Sequence, residues 1–465
     1  GSVVVPPAQE AHADAWTDYL ARTWDQCKAE FAALDKTTGL TPWDGISATQ
    51  PAKGDGTAAD PWQISSPAEL YWVATKPDAN HKSLRLVRDI DLGGKPWPGM
   101  VITGTAETIF DGQNHTIYNL YMTGPGGGAA AAGLGFILYA NNPNFTMKDT
   151  AFRYAQIIAT ANNYNYSVAI SYFTEGLMQH VSVEDSLIQG GNFVGAICNG
   201  WSNGSHRAVD AAGDLQESTI GARIDQCHTA RVYTYGNSCI GNFSGPLWGA
   251  KVTNSFAVDG VTVSLAGHSG GFVSCPGYDY VENSFCNITM YGNTQTSVFS
   301  GVNHYNNGFK NCYASGVVEG SSIVGGFVGD AQRGNGIEAY PSKYTNCYST
   351  TMVGMQNTAS NMGGFGGVAD YDLTMQNCYA AGEVGALTTG GNEASVAGFV
   401  GTTGSLNVGA CYYDMQTSSM RDHATGNNSL VASGDSGVTI AGRITKDMTG
   451  ADALSNMPGF TDDVW

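Results

Sequence analysis

Asp330 and Asp370 stand three residues after Phe327 and five after Phe365, inside the similar segments Gly325-Gly326-Phe327-Val328-Gly329 and Gly363-Gly364-Phe365-Gly366-Gly367. If such segments stack strand on strand, one step of about 4.8 Å and two rises of about 3.3 Å put the two Cα atoms roughly 8 Å apart. Carboxyl pairs at such separations cleave glycosidic bonds, by retention at about 5 Å or by inversion at about 6.5 to 9.5 Å. One member would act as general acid, its pKa raised by the other's charge and by Trp248 or Tyr305. The other would act as nucleophile or base. Asp279 and Glu338 are substitutes, and Asp210, Asp214 and Glu217 are within reach on a long insertion. With 40 acidic residues in the chain, chance pairs are common, and ordinary solvent-facing loop residues remain the plain alternative.

The same spacing gathers aromatic residues. Five residues past successive Phe landmarks come Trp248, Gly277, His304, Gln332 and Asp370; three past come Pro246, Cys275, Val302, Asp330 and Val368. Positions three and five share strand parity and point one way. With Tyr278, Tyr305, Trp201 and Arg333 close by, this is a surface on which sugar rings stack while amides and carboxylates take the hydroxyls. Trp248, His304, Tyr305, Tyr278, Trp201, Arg333 and Glu338 are therefore the expected substrate contacts.

The elements that position them repeat. Phe136, Phe193, Phe243, Phe272, Phe299, Phe327, Phe365 and Phe399 each sit in a Gly-rich segment, and about a dozen residues on come Ser255, Ser284, Cys312, Cys347, Cys378 and Cys411. The shortest units, 27 to 29 residues with short strands and tight Gly/Asn turns, cannot bury an apolar face alone and must stack coil on coil. The expected fold is all-β, a right-handed parallel β-helix, with Phe and Cys in internal columns and the Tyr after each Cys packed on its neighbours. Two insertions, Asn199 to Ser218 and Asp330 to Pro341, leave one corner four coils apart, so walls roughly 19 Å apart should flank a trough.

Residues 8–34 carry Trp16, Tyr19, Leu20, Trp24, Cys27 and Phe31 at helical spacing, which predicts one amphipathic helix. Residues 1–53 then form a helix and connector that cap the open N-terminal coil, and residues 54–465 form the solenoid.

These repeats resemble the GLUG-motif family of bacterial secreted and surface proteins. The resemblance rests on Gly325-Gly326-Phe327-Val328-Gly329 and Gly398-Phe399-Val400-Gly401, and on the stretches 54–64, 86–92, 110–117 and 411–414. It implies a right-handed parallel β-helix outside a bacterial cell and carries no catalytic residue of its own. The architecture is also similar to that of β-helix glycoside hydrolases, with no residue-by-residue match. Asp89, Asp91 and Asp111 fit the family's structural pattern and are expected to cap turns.

Other chemistry has little support. Gly267-His268-Ser269-Gly270-Gly271 matches a nucleophile elbow in letters only, because it leads into a β repeat and not into a helix. No H-E-x-x-H is present, and Arg333 is the one basic candidate for a lyase. Ten Cys without a C-x-x-C give neither a zinc signature nor a dense disulfide scaffold, so no metal and no cofactor are expected.

Composition limits the partners. The chain has 465 residues, 62 of them Gly, with 13% charged residues and a net charge of −19, which disfavours nucleic acid and anionic membranes. No apolar run reaches 18 residues. Gly1-Ser2 reads as an added dipeptide, and a removed signal peptide is compatible with it. The expected protein is a monomer, secreted or displayed on a bacterium, acting on an oligosaccharide as a glycoside hydrolase. The alternative is a glycan-binding adhesin or a structural stalk that does not cut.

Overall fold

The computed structural model describes residues 13–331, 342–355, 361–369, 373–385, 396–403, 406–418 and 440–464. Asp370, Arg333, Glu338 and Gln332 lie outside these described residues.

The chain is a parallel β-solenoid. Its first face stacks Ala222–Asp225, Lys251–Thr253, Tyr280–Glu282, Gly308–Lys310, Lys343–Thr345 and Leu373–Gln376, each paired in parallel with the next. The second face includes His228–Gly236, Phe256–Ser264, Phe285–Tyr291 and Tyr313–Gly320, stacked on the preceding strand through Leu187. A third holds Gly267–Gly270, Thr294–Ser297 and Ser322–Gly325, and a fourth Ser300–Val302, Val328–Asp330, Gly366–Ala369 and Val400–Thr403.

Like residues stack on like because strand pairing brings the same position round once per coil. Inside the bore, Phe243, Phe272, Phe299, Phe327, Phe365 and Phe399 form one stack with ring centroids 4.4 to 5.1 Å apart and planes within 14°. The column continues backward through Ile197, Ala169 and Phe136, as the pairings Cys198 with Ser244 and Ile170 with Cys198 and Ile137 show. Phe193 is not in it. It lies in register with Cys239, one residue before the Val194–Ile240 pairing, and packs on Tyr164 outside the bore. The Phe-based alignment thus passes over a whole coil, because Ala169 and Ile197 occupy the aromatic position there.

The thiol column is internal, as expected. Cys227, Cys312, Cys347, Cys378 and Cys411 are buried, and each sulfur donates to the carbonyl two residues before it. Ser255 and Ser284 fill the same position and make the same bond. The residue before each is held at a positive φ, and Asn254, Asn283, Asn311, Asn346 and Asn377 there link amide to amide along the corner. After the corner, His228, Phe256, Phe285, Tyr313, Tyr348 and Tyr379 stack with planes within 6° of parallel. Their faces are spent on one another, so only ring edges reach solvent. Asp91 and Asp111 accept backbone N–H bonds from Gly93 and Gln113 and so close turns, whereas Asp89 accepts from Thr116 and ties one coil to the next.

The predicted helix forms as α1, Ala13–Ala32, but it does not cover the coil end. Trp16, Tyr19, Leu20, Trp24, Cys27 and Phe31 pack on Leu187, Val263 and Tyr291, the outer side of the second face. Trp16 Nε1 donates to the Gly292 carbonyl and Trp24 Nε1 to Gln189, while Asn119 donates to the Lys36 carbonyl beyond the helix. The helix therefore runs along the solenoid axis, and its length of about 30 Å spans roughly six coil steps. It lies there because the second-face strands carry outward apolar residues that no end cap would reach. A shorter helix, α2 (Pro67–Thr75), instead packs with Trp43, Trp62 and Trp97 against the first coils. No helix among the described residues is long and apolar enough to cross a membrane.

Candidate functional site

The expected register on the fourth face is observed: Trp248 pairs with Gly277 and Gly277 with His304, while Val302 pairs with Asp330 and Asp330 with Val368. What differs is the insertion. Instead of standing up as a wall, residues 199–221 lie down across four coils. The sequence of the loop explains this, since Ala208, Val209, Leu215 and Ile220 bury against Tyr280. Polar ties complete the seam: Trp248 Nε1 donates to the Gly204 carbonyl, Asn306 to the Asp210 carbonyl, and Lys343 pairs with Asp214 at 2.8 Å. Glu217 pairs with Arg223 and Lys251, and Asp210 accepts the N–H groups of Ala212 and Asp214. Asp210, Asp214 and Glu217 are thus engaged in holding the loop down.

The result is an aromatic patch. Trp201 meets Trp248 edge-on at 4.8 Å and lies 5.4 Å from His304 and 6.4 Å from Tyr305. Tyr278 stacks on Tyr305 at 4.9 Å, and the Arg207 guanidinium sits 3.7 Å over the Tyr278 ring. Gly277 makes the close approach possible, because a Cβ there would come within 3.0 Å of the Trp201 ring. Trp248 and Tyr278 are buried beneath; Trp201, His304, Tyr305 and Arg207 are half-buried and form the accessible surface. Burial, reinforced by the charge of nearby His268, lowers the His304 pKa to about 4, so this imidazole is neutral at pH 7.

Of the expected carboxylates, Asp279 and Asp330 are both buried and neither forms part of the accessible patch, while Asp370 and Glu338 lie outside the described residues. Asp279 is fully buried, and its oxygens accept the N–H groups of Ala250 and Gly277. Burial pushes its pKa well up. Its role is to hold two strands together below the surface. Asp330 is 4% exposed and accepts from Gln295 at 2.7 Å. The Ser269 hydroxyl is sealed in the third face, bonded to Ser264, and the segment Gly267–Gly270 is a strand and forms no nucleophile elbow.

One group had no signature in the spacing. Cys239, His268 and Gln295 occupy one column of the third face, each at φ between 54° and 61°. That column faces Cys275 and Asp330 on the fourth face. Cys275 Sγ lies 3.2 Å from Cys239 Sγ, and Cys239 Sγ lies 4.0 Å from His268 Nδ1. The bond from Cys275 is the main cause that lowers the Cys239 thiol to about 6, with His268 adding to it, while burial holds Cys275 high. His268 is raised by the same contact with Cys239. His268 and His304 rings are 5.7 Å apart, so this cluster adjoins the aromatic patch. A separate shallow cleft beside α1 is lined by Thr160, Asn162, Gln189, Gly191, Tyr235 and Asn237.

No family model matches the chain. It is 26% identical to halomucin from Haloquadratum walsbyi in an alignment of 211 positions that covers 42% of this chain, and it spans about 2% of that protein's length. Among solved structures it is similar to a candidate immunoglobulin A1 protease from Bacteroides ovatus, at 15% identity and a TM-score of 0.38, covering 66% of this chain and 80% of that one.

Proposed function

We propose that this chain is an extracellular β-solenoid module, secreted or on a cell surface, that binds a glycan on the patch of Trp201, His304, Tyr305 and Arg207 without cleaving it. The observation that carries the reading is the half-buried Trp201–Tyr305 pair, tilted 30° and set on a rigid bed of Trp248 and Tyr278. Aromatic faces fixed by packing offer a sugar ring contact area without paying rotamer entropy on binding. Arg207, His304 and the neutral loop amides supply hydrogen bonds at the rim. The resemblance of the repeats to GLUG segments supports placement outside a cell, and the chain acts as a monomer.

The hydrolase reading rests on Asp330, which pairs with Val368 on the adjacent coil, while Asp370 lies outside the described residues. Asp279, however, is sealed from any substrate, and Asp330 is engaged by Gln295.

A screen against host and plant oligosaccharides, read both by thermal shift and by reducing-sugar release, separates the two. A shift without release is expected. Release that disappears in Asp330→Asn would replace binding with hydrolysis, and silence in both channels would leave a structural stalk.

A further inference from the structure

Cys239, His268 and Cys275 come from two consecutive coils, His268 from the strand Gly267–Gly270 and the two cysteines from bends beside it, and their ligand atoms all lie within 4.8 Å of one another. The separations of 3.2 Å between the sulfurs and 4.0 Å from Cys239 Sγ to His268 Nδ1 bracket the roughly 3.6–3.8 Å between ligand atoms that tetrahedral zinc sets with bonds of about 2.3 Å to sulfur and 2.0–2.1 Å to nitrogen. The donor set is two thiols and one imidazole, the borderline-soft combination that zinc prefers over calcium or magnesium.

The surroundings are built for a fixed imidazole. His268 Nδ1 faces Cys239, and Gln295 stands in register with His268 on the next coil. Gln295 is anchored in turn by Asp330 at 2.7 Å. A fixed polar side chain beside a ligand histidine helps to set its orientation. Ser238 donates to Cys239 Sγ from the other side. Like the thiols of the bore column, both sulfurs are buried, and Cys275 also approaches a backbone carbonyl, that of His268 at 3.6 Å; what sets this pair apart is the imidazole beside Cys239.

We propose that Cys239, His268 and Cys275 form a zinc site that ties two consecutive coils together beside the aromatic patch. The two thiols lose their protons on binding, and the imidazole binds through Nδ1 as the neutral base. No electron transfer is involved.

The test uses the whole chain, reduced and freed of metal, titrated with cobalt(II) as a spectroscopic stand-in and then with zinc. One ion per chain is expected, with a thiolate-to-cobalt charge-transfer band that zinc abolishes. Cys239→Ser and Cys275→Ser should each remove the band, and Cys347→Ser in the bore should leave it intact. Gln295→Leu, which removes the polar side chain in register with His268 together with its bond to Asp330, should weaken zinc binding about tenfold while keeping the stoichiometry. Should a serine variant fail to fold, His268→Gln serves instead and should lower affinity at least about tenfold. The proposal is overturned by a reduced chain that shows no band, by a band that survives Cys239→Ser or Cys275→Ser, or by a Cys239–Cys275 disulfide that persists after reduction.

Discussion

Trp201 lies edge-on against Trp248 at 4.8 Å, and that contact seats one end of an insertion that lies flat over the coils. Shortening the side chain removes the accessible face of the patch and the pin that seats the loop. Trp201→Ala should therefore lose at least about tenfold in glycan affinity. It should also destabilise the fold by roughly 1–3 kcal/mol, less than a fully buried Trp would, because Trp201 is only half-buried. Calorimetric titration with the screen's best oligosaccharide, alongside thermal unfolding, separates the two effects. Phe256→Ala, in the outer aromatic stack whose faces are covered, should leave affinity unchanged.

The bore tolerates some changes and not others. Cys312→Ser should cost less than about 1.5 kcal/mol, because Ser255 and Ser284 already fill that column and make the same bond to the carbonyl two residues back. Phe327→Ala should cost about 3–5 kcal/mol, since it opens a cavity between Phe299 and Phe365. Denaturant unfolding of both variants checks the contrast, and comparable losses would contradict the column assignment.

Helix α1 is a lateral strap, and its removal should be felt along the side of the solenoid. A chain starting at Gly39 exposes Leu187, Val263, Tyr291 and the half-buried residues beside them as one apolar strip. Association measured by light scattering is expected. Trp24→Ala, which breaks the bond to Gln189 and the stack on Tyr235, should raise hydrogen exchange in the 228–236 and 256–264 strands before it affects the first coils. Exchange rising first around Trp62 and Trp97 would restore the end-cap role.

Under the start of that helix, Glu319 is 1% exposed beside Tyr19 and Tyr291, and burial raises its pKa to about 7 from 4.5. The folded state thus holds this proton more tightly than the unfolded state. Stability contributed here is complete below about pH 4.5 and is lost as pH rises to about 7. The full change amounts to about 3 kcal/mol. Glu319→Gln should flatten that part of the stability profile between pH 5 and 8, leaving the contribution of Asp279, which has the same sign. An unchanged profile in the variant would show that Glu319 does not titrate there.

The architecture was legible because repetition exposes it. A Phe or Cys that returns at each coil must stack, and the fourth-face register from Trp248 to His304 follows from counting. Phe193 misled because the column residue of its coil is Ile197, and Ala169 one coil earlier hides a repeat altogether. The helix was readable as a helix, but which surface it would cover depended on outward residues such as Tyr235 and Val263, whose apolar side shows only once the strands are paired. Loop collapse was equally hidden, since Leu215 and Ile220 read as an ordinary insertion until Tyr280 is placed beneath them. Cys239, His268 and Cys275 are 29 and 7 residues apart, a spacing that becomes a cluster only through coil stacking and left-handed backbone at the third-face column.

Affinity of the best oligosaccharide for the intact chain, compared with Trp201→Ala and Tyr305→Ala and with reducing-sugar release recorded in the same samples, tests the central claim most directly. Binding that falls at least about tenfold in both variants, with no release from the intact chain, is the predicted result. Binding unchanged in both variants, or sugar release that depends on Asp330, would contradict it.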